Sequence, residues 1–476
     1  MDKANSAQRY VNQAMHHAKL AGARLADKHV NLAVTGLSKS GKTAFITSLM
    51  NQLLEVNEDA ELPFFSTKRE GRIIGVQRSN QVDLSASRFA YEDAILGLST
   101  EPPTWPQSTT GISQIRLVIR YKKKSGLSRW LSEDAKLTLD ITDYPGEWLL
   151  DLPLLDMDFV QWCEYSSRQL INEQRAKLAA PILAEIEAID LNARGDELHL
   201  QKTAESYASH LKKCQQAGFQ LLLPGRFLLP GELLGAPVLH FFPVSPEQLI
   251  AQNIDLAKLV KGSNAELLVK RFEYYKQHVV RPFYQQHFKR FDRQIILVDC
   301  LSALNNGLHS YQDLQAALQW IMQSFAYGSS NILKRLFKPK IDKLVFAASK
   351  ADHVTPDQQV NLVKLLDSML RDARKQLQFD GVVTESTLIA AIKASTSGKA
   401  QINGEFVPVL QGRTEDGLNL TLFPGEVPTT CPKADFWQKQ GFAFPQFAAP
   451  LLKDQQALPH IRMDQVLDFM LADKLL

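Results

Sequence analysis

Apolar residues recur along this chain with two periods. "HVNLAVTG" (29–36) is a short apolar run with β-branched residues and predicts a buried strand. Directly after it, "TAFITSLMNQLL" (43–54) sets Phe45, Leu49 and Leu53 at helical spacing. "ISQIRLVIRY" (112–121) alternates apolar and polar residues as a half-buried strand. "AKLTLDITD" (135–143) is a second strand, and the basic stretch "KKKSGLSRWLSED" between them reads as a hairpin connection. Two further buried strands lie in "RQIILVDCLSAL" (293–304) and "IDKLVFAASKADHV" (341–354), and a last one in "STLIAAIKASTSG" (386–398). Helical composition marks residues 5–26, "SASRFAYEDAILGLS" (85–99) and most of 160–294, with a break expected near Pro282. "EPPTWPQSTTG" (101–111) is a loop, because its three prolines forbid regular structure.

The strand–loop–helix at 29–54 contains "GLSKSGKT", which matches G-x-x-x-x-G-K-[ST]. Such a loop wraps phosphate oxygens in backbone N–H groups, and the following helix N-terminus favours negative charge. Gly36, Ser38, Lys39, Ser40, Gly41, Lys42, Thr43 and Ala44 are therefore the candidate phosphate-binding residues. Lys42 would bridge phosphate oxygens and Thr43 would ligate Mg²⁺. The strand at 135–143 ends in Asp143, Tyr144, Pro145 and Gly146, a D-x-x-G. In that setting Asp143 would hold the Mg²⁺ shell, and Gly146 would meet a γ-phosphate. Thr110, just before the hairpin, is the expected threonine of a first switch loop, with Thr109 as its competitor.

Composition changes this picture little. With 476 residues, 45% hydrophobic and 22% charged, the chain is long enough for several domains and has an ordinary globular make-up. A net charge of +3 does not by itself point to nucleic acid or membrane, although peripheral membrane contact stays open. The four cysteines form no C-x-x-C pair, so neither a zinc site nor a disulfide framework is expected. The polar N-terminus and the lack of a long apolar run predict a cytoplasmic protein without a membrane span.

Ser349, Lys350, Ala351 and Asp352 close the strand at 341–354 and resemble the guanine-reading N/T-K-x-D motif of the Ras-like GTPase superfamily, with Ser in the first position. An Asp352 carboxylate would accept from guanine N1–H and the exocyclic amine, and the stem of Lys350 would cover one face of the base. Lys393, Ala394 and Ser395 loosely match that superfamily's S-A-K-like loop. The order of motifs is that of a G domain: an α/β fold with a mixed, mostly parallel sheet and helices on both faces. The separation between D-x-x-G and the next strand is too long for a loop, so a large α-helical domain is expected inside the G domain. The expected organisation is an N-terminal helix (1–29), a first G-domain part (30–148), the helical insertion (149–291), a second G-domain part (292–400) and a C-terminal extension (401–476). In that extension two short strands precede a helix, with Val466, Met470 and Leu471 on its inner face.

The combination of "GLSKSGKT", "WPQSTTGISQIRLVIRY", "LDITDYPGEWLLDLPLL", "ILVDCLSALN", "SKADHV" and "LPHIRMDQVLDFMLADKL" resembles the YcjX family across nearly the whole chain. These are bacterial P-loop proteins classed as GTPases and associated with stress responses. The resemblance implies GTP or GDP binding with Mg²⁺. Glu147 follows the D-x-x-G where many such proteins carry Gln, so with Lys42, Thr110 and Gly146 it completes a candidate catalytic set for slow hydrolysis. A nucleotide-controlled switch, with a protein partner on the helical insertion, is the expected function. An ATP-dependent ATPase or kinase, and a non-enzymatic nucleotide-binding module, are the alternatives.

Overall fold

The computed structural model of the chain describes residues 28–55, 62–84, 86–124, 134–326, 341–379, 381–402, 404–438, 446–453 and 456–476. The helix expected over 5–26 and most of the basic hairpin connection lie outside them. Eight strands form the main sheet: β1 (Lys28–Gly36), β2 (Ile73–Ser79), β3 (Ser87–Arg88), β4 (Ser113–Lys122), β5 (Asp134–Asp143), β6 (Arg293–Val298), β7 (Lys343–Ala348) and β8 (Val383–Leu388). Their spatial order is β2-β4-β5-β1-β6-β7-β8, with β3 beside β4. β1 lies at the centre and pairs in parallel with both β5 and β6. β4 and β5 form the expected antiparallel hairpin, with Ser113 opposite Asp143.

Alternation along the central strands sorts residues between two cores, because successive side chains point to opposite faces. Val30, Leu32 and Val34 join Ile295, Leu297, Val345 and Ala347 on one face, under the helices Lys42–Leu54 and Met463–Leu471. Ala33, Ile296, Val298, Leu344, Phe346 and Ala348 face the other side, under the helices Leu308–Ala326 and Gln359–Phe379. This second core continues without interruption into the segment between β5 and β6, through Trp148, Trp162, Phe241, Phe272 and Tyr275. Val466, Met470 and Leu471 are buried against the sheet, as the helical spacing at 462–475 predicts.

The segment between β5 and β6 begins as a buried 3₁₀ stretch, Gly146–Asp156. It then forms the helices Phe159–Leu170, Glu173–Glu187, Glu197–Gln216 and Asn264–Tyr275. The first of these starts at Asp158, whose side chain accepts from Gln161 N–H in a capping box. Pro282 does not break the last one. The chain widens into a π turn at Lys276–Val280 and resumes as Arg281–Gln286, with the proline in its first turn. The wider turn relieves the collision that a proline ring makes with the preceding helical turn.

The strand expected over 386–398 is shorter and divided. β8 stops at Leu388, and Ala390 then pairs with Ile461 while Lys393 N–H donates to Pro459 O at 2.7 Å. Pairing with the C-terminal segment therefore draws the apolar run out of the main sheet. Ser395–Ile402 becomes β9 of a separate antiparallel sheet with β10 (Glu405–Arg413) and β11 (Asn419–Leu422). Among the described residues no helix is long and apolar enough to cross a membrane.

Candidate functional site

The turn from β1 into the helix Lys42–Leu54 is shaped by close approach. A Cβ on Gly36 would lie 2.4 Å from Ser40 Oγ and 2.5 Å from the Leu297 carbonyl oxygen. Gly41 caps the helix at φ +85°, in the left-handed region that glycine enters without steric cost. No acidic side chain occupies the helix's first turn, so its N–H groups and dipole present unopposed positive potential. Lys42 Nζ donates to Gly36 O at 2.6 Å, and Ser40 Oγ is buried without a hydrogen-bond partner. Lys39, Ser40, Gly41, Lys42, Thr43 and Ala44 line a cavity of about 380 Å³, whereas Gly36 and Ser38 do not.

Asp143 and Gly146 come to the same loop from β5. A Cβ on Gly146 would stand 2.5 Å from Gly36 O, so the D-x-x-G glycine is pressed onto the start of the phosphate-loop motif. Burial raises the Asp143 carboxyl above its ordinary value, against the charge of Lys42 and a hydrogen bond from Thr109. The structure brings Thr109, not Thr110, to Asp143: Thr109 Oγ1 donates to Asp143 Oδ2. Thr110, at the bend that follows, is exposed. Two buried carboxylate oxygens have no partner here, Asp143 Oδ1 and Glu147 Oε2. Tyr144 serves the core instead, with its ring stacked on Phe291 at 5.6 Å.

The opposite end of the cavity is built by the loop after β7. Lys350 adopts φ +60° and its Nζ pairs with Asp299 Oδ2 at 2.6 Å. Ser349 lines the cavity beside Lys350, and its buried hydroxyl lies 3.4 Å from Val298 O. Asp352 is buried and lines the cavity. Burial pulls its carboxyl upward, but the His353 imidazole at 3.2 Å and the Ala394 N–H at 2.8 Å outweigh that and hold it below its ordinary value. Lys393, Ala394 and Ser395 do not line the cavity. Ala394 N–H and Ser395 Oγ brace Asp352 from behind, while Ile389, Ala390, Ala391 and Ile392 form the wall.

The motifs at 36–43 and 349–352, far apart in sequence, therefore face one space. Trp105 and Phe447 face it too, and neither was singled out by the sequence reading. A tryptophan alone in a proline-rich loop was the one available signal for the first; nothing marked the second. A larger cavity of about 1030 Å³ opens from Thr43 past Thr109 and Thr110 towards Arg226 and His287 of the segment between β5 and β6. Arg226 lies over the Trp148 ring at 3.3 Å and pairs with Glu232 at 3.1 Å.

Within that segment a buried carboxylate ties the stretch after Gly146 to the later helices. Asp151 accepts from Gly225 N–H at 2.7 Å, from Arg226 N–H at 3.3 Å and from the Tyr275 hydroxyl. Burial raises its carboxyl from 3.8 to about 6, in spite of these donors. Between those values the folded chain keeps a proton that the unfolded chain has lost, so this group's contribution to stability falls as pH rises through the window. Asp151→Asn removes the titration. Relative to that variant, wild type should gain stability as pH is lowered from about 7 to about 4. Urea midpoints across this range provide the check, and a constant offset between the two proteins would contradict the expectation.

A mixed, mostly parallel sheet carries these turns: the phosphate-loop motif after central β1, D-x-x-G after β5 and S-K-x-D after β7. The fold is that of a Ras-like P-loop GTPase with helical additions. Residues 30–475 match the family described as YcjX-like family, DUF463, and the chain belongs to it. It is 46% identical over 453 residues to "Ras-like GTPase YcjX" of Escherichia coli (strain K12), covering 94% of this chain and 96% of that protein. It is 45% identical over 465 residues to the protein of the same name in Shewanella oneidensis, covering 95% and 96%.

Proposed function

We propose that the protein binds a guanine nucleotide with Mg²⁺, hydrolyses GTP slowly and uses the nucleotide as a conformational switch. The observation that carries this reading is the single cavity of about 380 Å³ lined by both the phosphate-loop residues Lys39–Ala44 and the buried carboxylate of Asp352. A nucleotide spans such a space with phosphates at one end and base at the other. The names of the two relatives support the same reading.

Lys42 would exchange the Gly36 carbonyl for β- and γ-phosphate oxygens. The donors present suit Mg²⁺, a hard cation that takes oxygen ligands. Thr43 lines the cavity, and Asp143, which feels the charge of Lys42, offers a buried, unpartnered Oδ1. When bound, the ion supplies positive charge to the phosphate oxygens. Thr109 already meets Asp143 and is better placed than Thr110 to close on that end of the site. Glu147 carries the second unpartnered carboxylate oxygen and would orient the attacking water, but its charge near phosphate keeps hydrolysis slow. The segment between β5 and β6 is rooted at these residues, and we place the protein-binding surface there. The expected site of action is the cytoplasm.

Equilibrium binding of GTP, GDP, ATP and XTP, with and without Mg²⁺, tests the reading. Guanine nucleotides should bind best. Lys42→Ala should lose a charge-assisted contact of about 1.5–3 kcal/mol, roughly 10- to 100-fold in affinity for GTP. Wild type preferring ATP would promote the ATPase or kinase alternative. Unchanged GTP affinity in folded Lys42→Ala would remove the phosphate-loop assignment.

A further inference from the structure

One wall of this cavity comes from a part of the chain that carries none of the motifs above. Residues 446–452 run as an extended strap across the outer side of the site. Its backbone is stitched on both sides: Phe447 bridges Thr414, Ala448 N–H donates to Arg413 O at 2.7 Å, and Leu452 N–H donates to Leu98 O at 2.9 Å. Gly412 leaves room for the Phe447 ring, since a Cβ there would stand 2.6 Å from Phe447 Cδ1. The ring lies 5.1 Å from that of His353, next to the base-reading Asp352. Trp105, on the loop that leads to Thr109, donates from its indole Nε1 to Phe447 O at 3.0 Å. The indole also packs on a small apolar cluster of Leu98, Ile392, Ala449 and Leu458. Trp105, Phe447 and Ile392 line the cavity together with Asp352.

Two aromatic side chains thus line the cavity, Phe447 beside His353 and next to Asp352, and the Trp105 indole donates to the Phe447 backbone carbonyl. One is anchored in the C-terminal strap, the other sits at the root of the loop that carries the candidate switch threonine. We propose that Trp105 and Phe447 form an aromatic clamp on the base and ribose of the bound nucleotide, and that their indole–carbonyl bond makes occupancy of the base end restrain the threonine loop. This rests on the nucleotide-binding reading above. Aromatic faces stack on any base, so the clamp supplies affinity and order, and Asp352 supplies the choice of base. A base-filled clamp holds Trp105 against Phe447 and so limits the conformations open to residues 106–112. A ligand without a base engages the phosphate loop alone and leaves that loop as free as before, because a ligand shifts a conformation only through contacts that differ between its states.

The test uses full-length protein and two ligands, GDP and inorganic tripolyphosphate, each competing with a fluorescent GDP analogue. Phe447→Leu keeps an apolar side chain under the strap and removes the aromatic face. Trp105→Phe keeps a ring and removes the indole donor. Phe447→Leu should weaken GDP roughly tenfold and leave tripolyphosphate affinity unchanged. Trp105→Phe should speed GDP release several-fold and raise hydrogen exchange at 106–112 in the GDP-bound protein, with no such change in the tripolyphosphate-bound protein. Equal loss for both ligands would reduce the two aromatics to packing residues and overturn the clamp, as would unchanged GDP binding in both folded variants. If Phe447→Leu does not fold, Trp105→Phe decides alone. Wild type that binds no guanine nucleotide would overturn the functional reading and the clamp with it. Normal wild-type binding with unaffected variants would overturn the clamp only.

Discussion

Asp352→Asn should turn a guanine site into a xanthine site. The carboxylate would accept two hydrogen bonds from guanine, each worth about 1.5–3 kcal/mol when one partner is charged. Losing both should cost GTP about a hundredfold or more in affinity. Xanthine carries an acceptor in place of the exocyclic amine, so an asparagine amide restores both contacts. The surroundings accommodate the change, because the amide oxygen can keep the Ala394 N–H. Competition of GTP and XTP for the variant measures the exchange. A uniform loss for both nucleotides would show that Asp352 only braces its loop.

Gly225→Ala should be among the most damaging small substitutions in the molecule. A Cβ at this position would stand 1.9 Å from the Glu147 carbonyl oxygen and 2.5 Å from its carbonyl carbon, so backbone must move. Gly225 also donates its N–H to Asp151, and a shift endangers that bond as well. Overpacking of this kind costs about 1–3 kcal/mol, and a backbone collision belongs at the upper end. A lowered urea midpoint and faster hydrogen exchange at 146–160 should accompany it. The same junction is where a nucleotide-dependent change would enter the helical segment. In wild type, exchange at 104–112 and 143–160 should differ between GDP and a non-hydrolysable GTP analogue, both at saturation with Mg²⁺. Identical exchange in the two states would leave the nucleotide as a structural ligand.

The central strands were legible because they are short apolar runs ending in glycine or charged turns, as at Gly36 and Asp143, whereas the edge strands Ile73–Ser79 and Ser87–Arg88 were not read. That Lys42 and Asp352 matter was legible because each sits in a motif of fixed spacing, and both line the one cavity. The boundary of β8 was not, since "IAAI" reads equally well as more strand or as a turn that pairs elsewhere. Neither was the choice between Thr109 and Thr110, which depends on the direction each side chain takes from an irregular loop. Phe447 was invisible for a similar reason. Its position at the cavity follows from pairing at Thr414 and Arg413, and such pairing leaves no local pattern.

The helix Met463–Leu471 covers the sheet face built by β1 and by the helix after it. Its acidic side chains also hold the early chain: Asp464 accepts from Phe64 N–H across 400 positions, and Asp468 accepts from Ser66 N–H across 402. During synthesis, the first strands therefore emerge long before the element that shields them. Until residues 463–471 arrive, the core that Val30, Leu32, Phe45 and Leu49 share with Val466, Met470 and Leu471 is incomplete. Contacts of such long range close slowly, because the entropy of a long loop is lost before its contacts form. The nascent chain is thus at its stickiest while its phosphate-loop half is already made, and refolding from denaturant should end on docking of this helix.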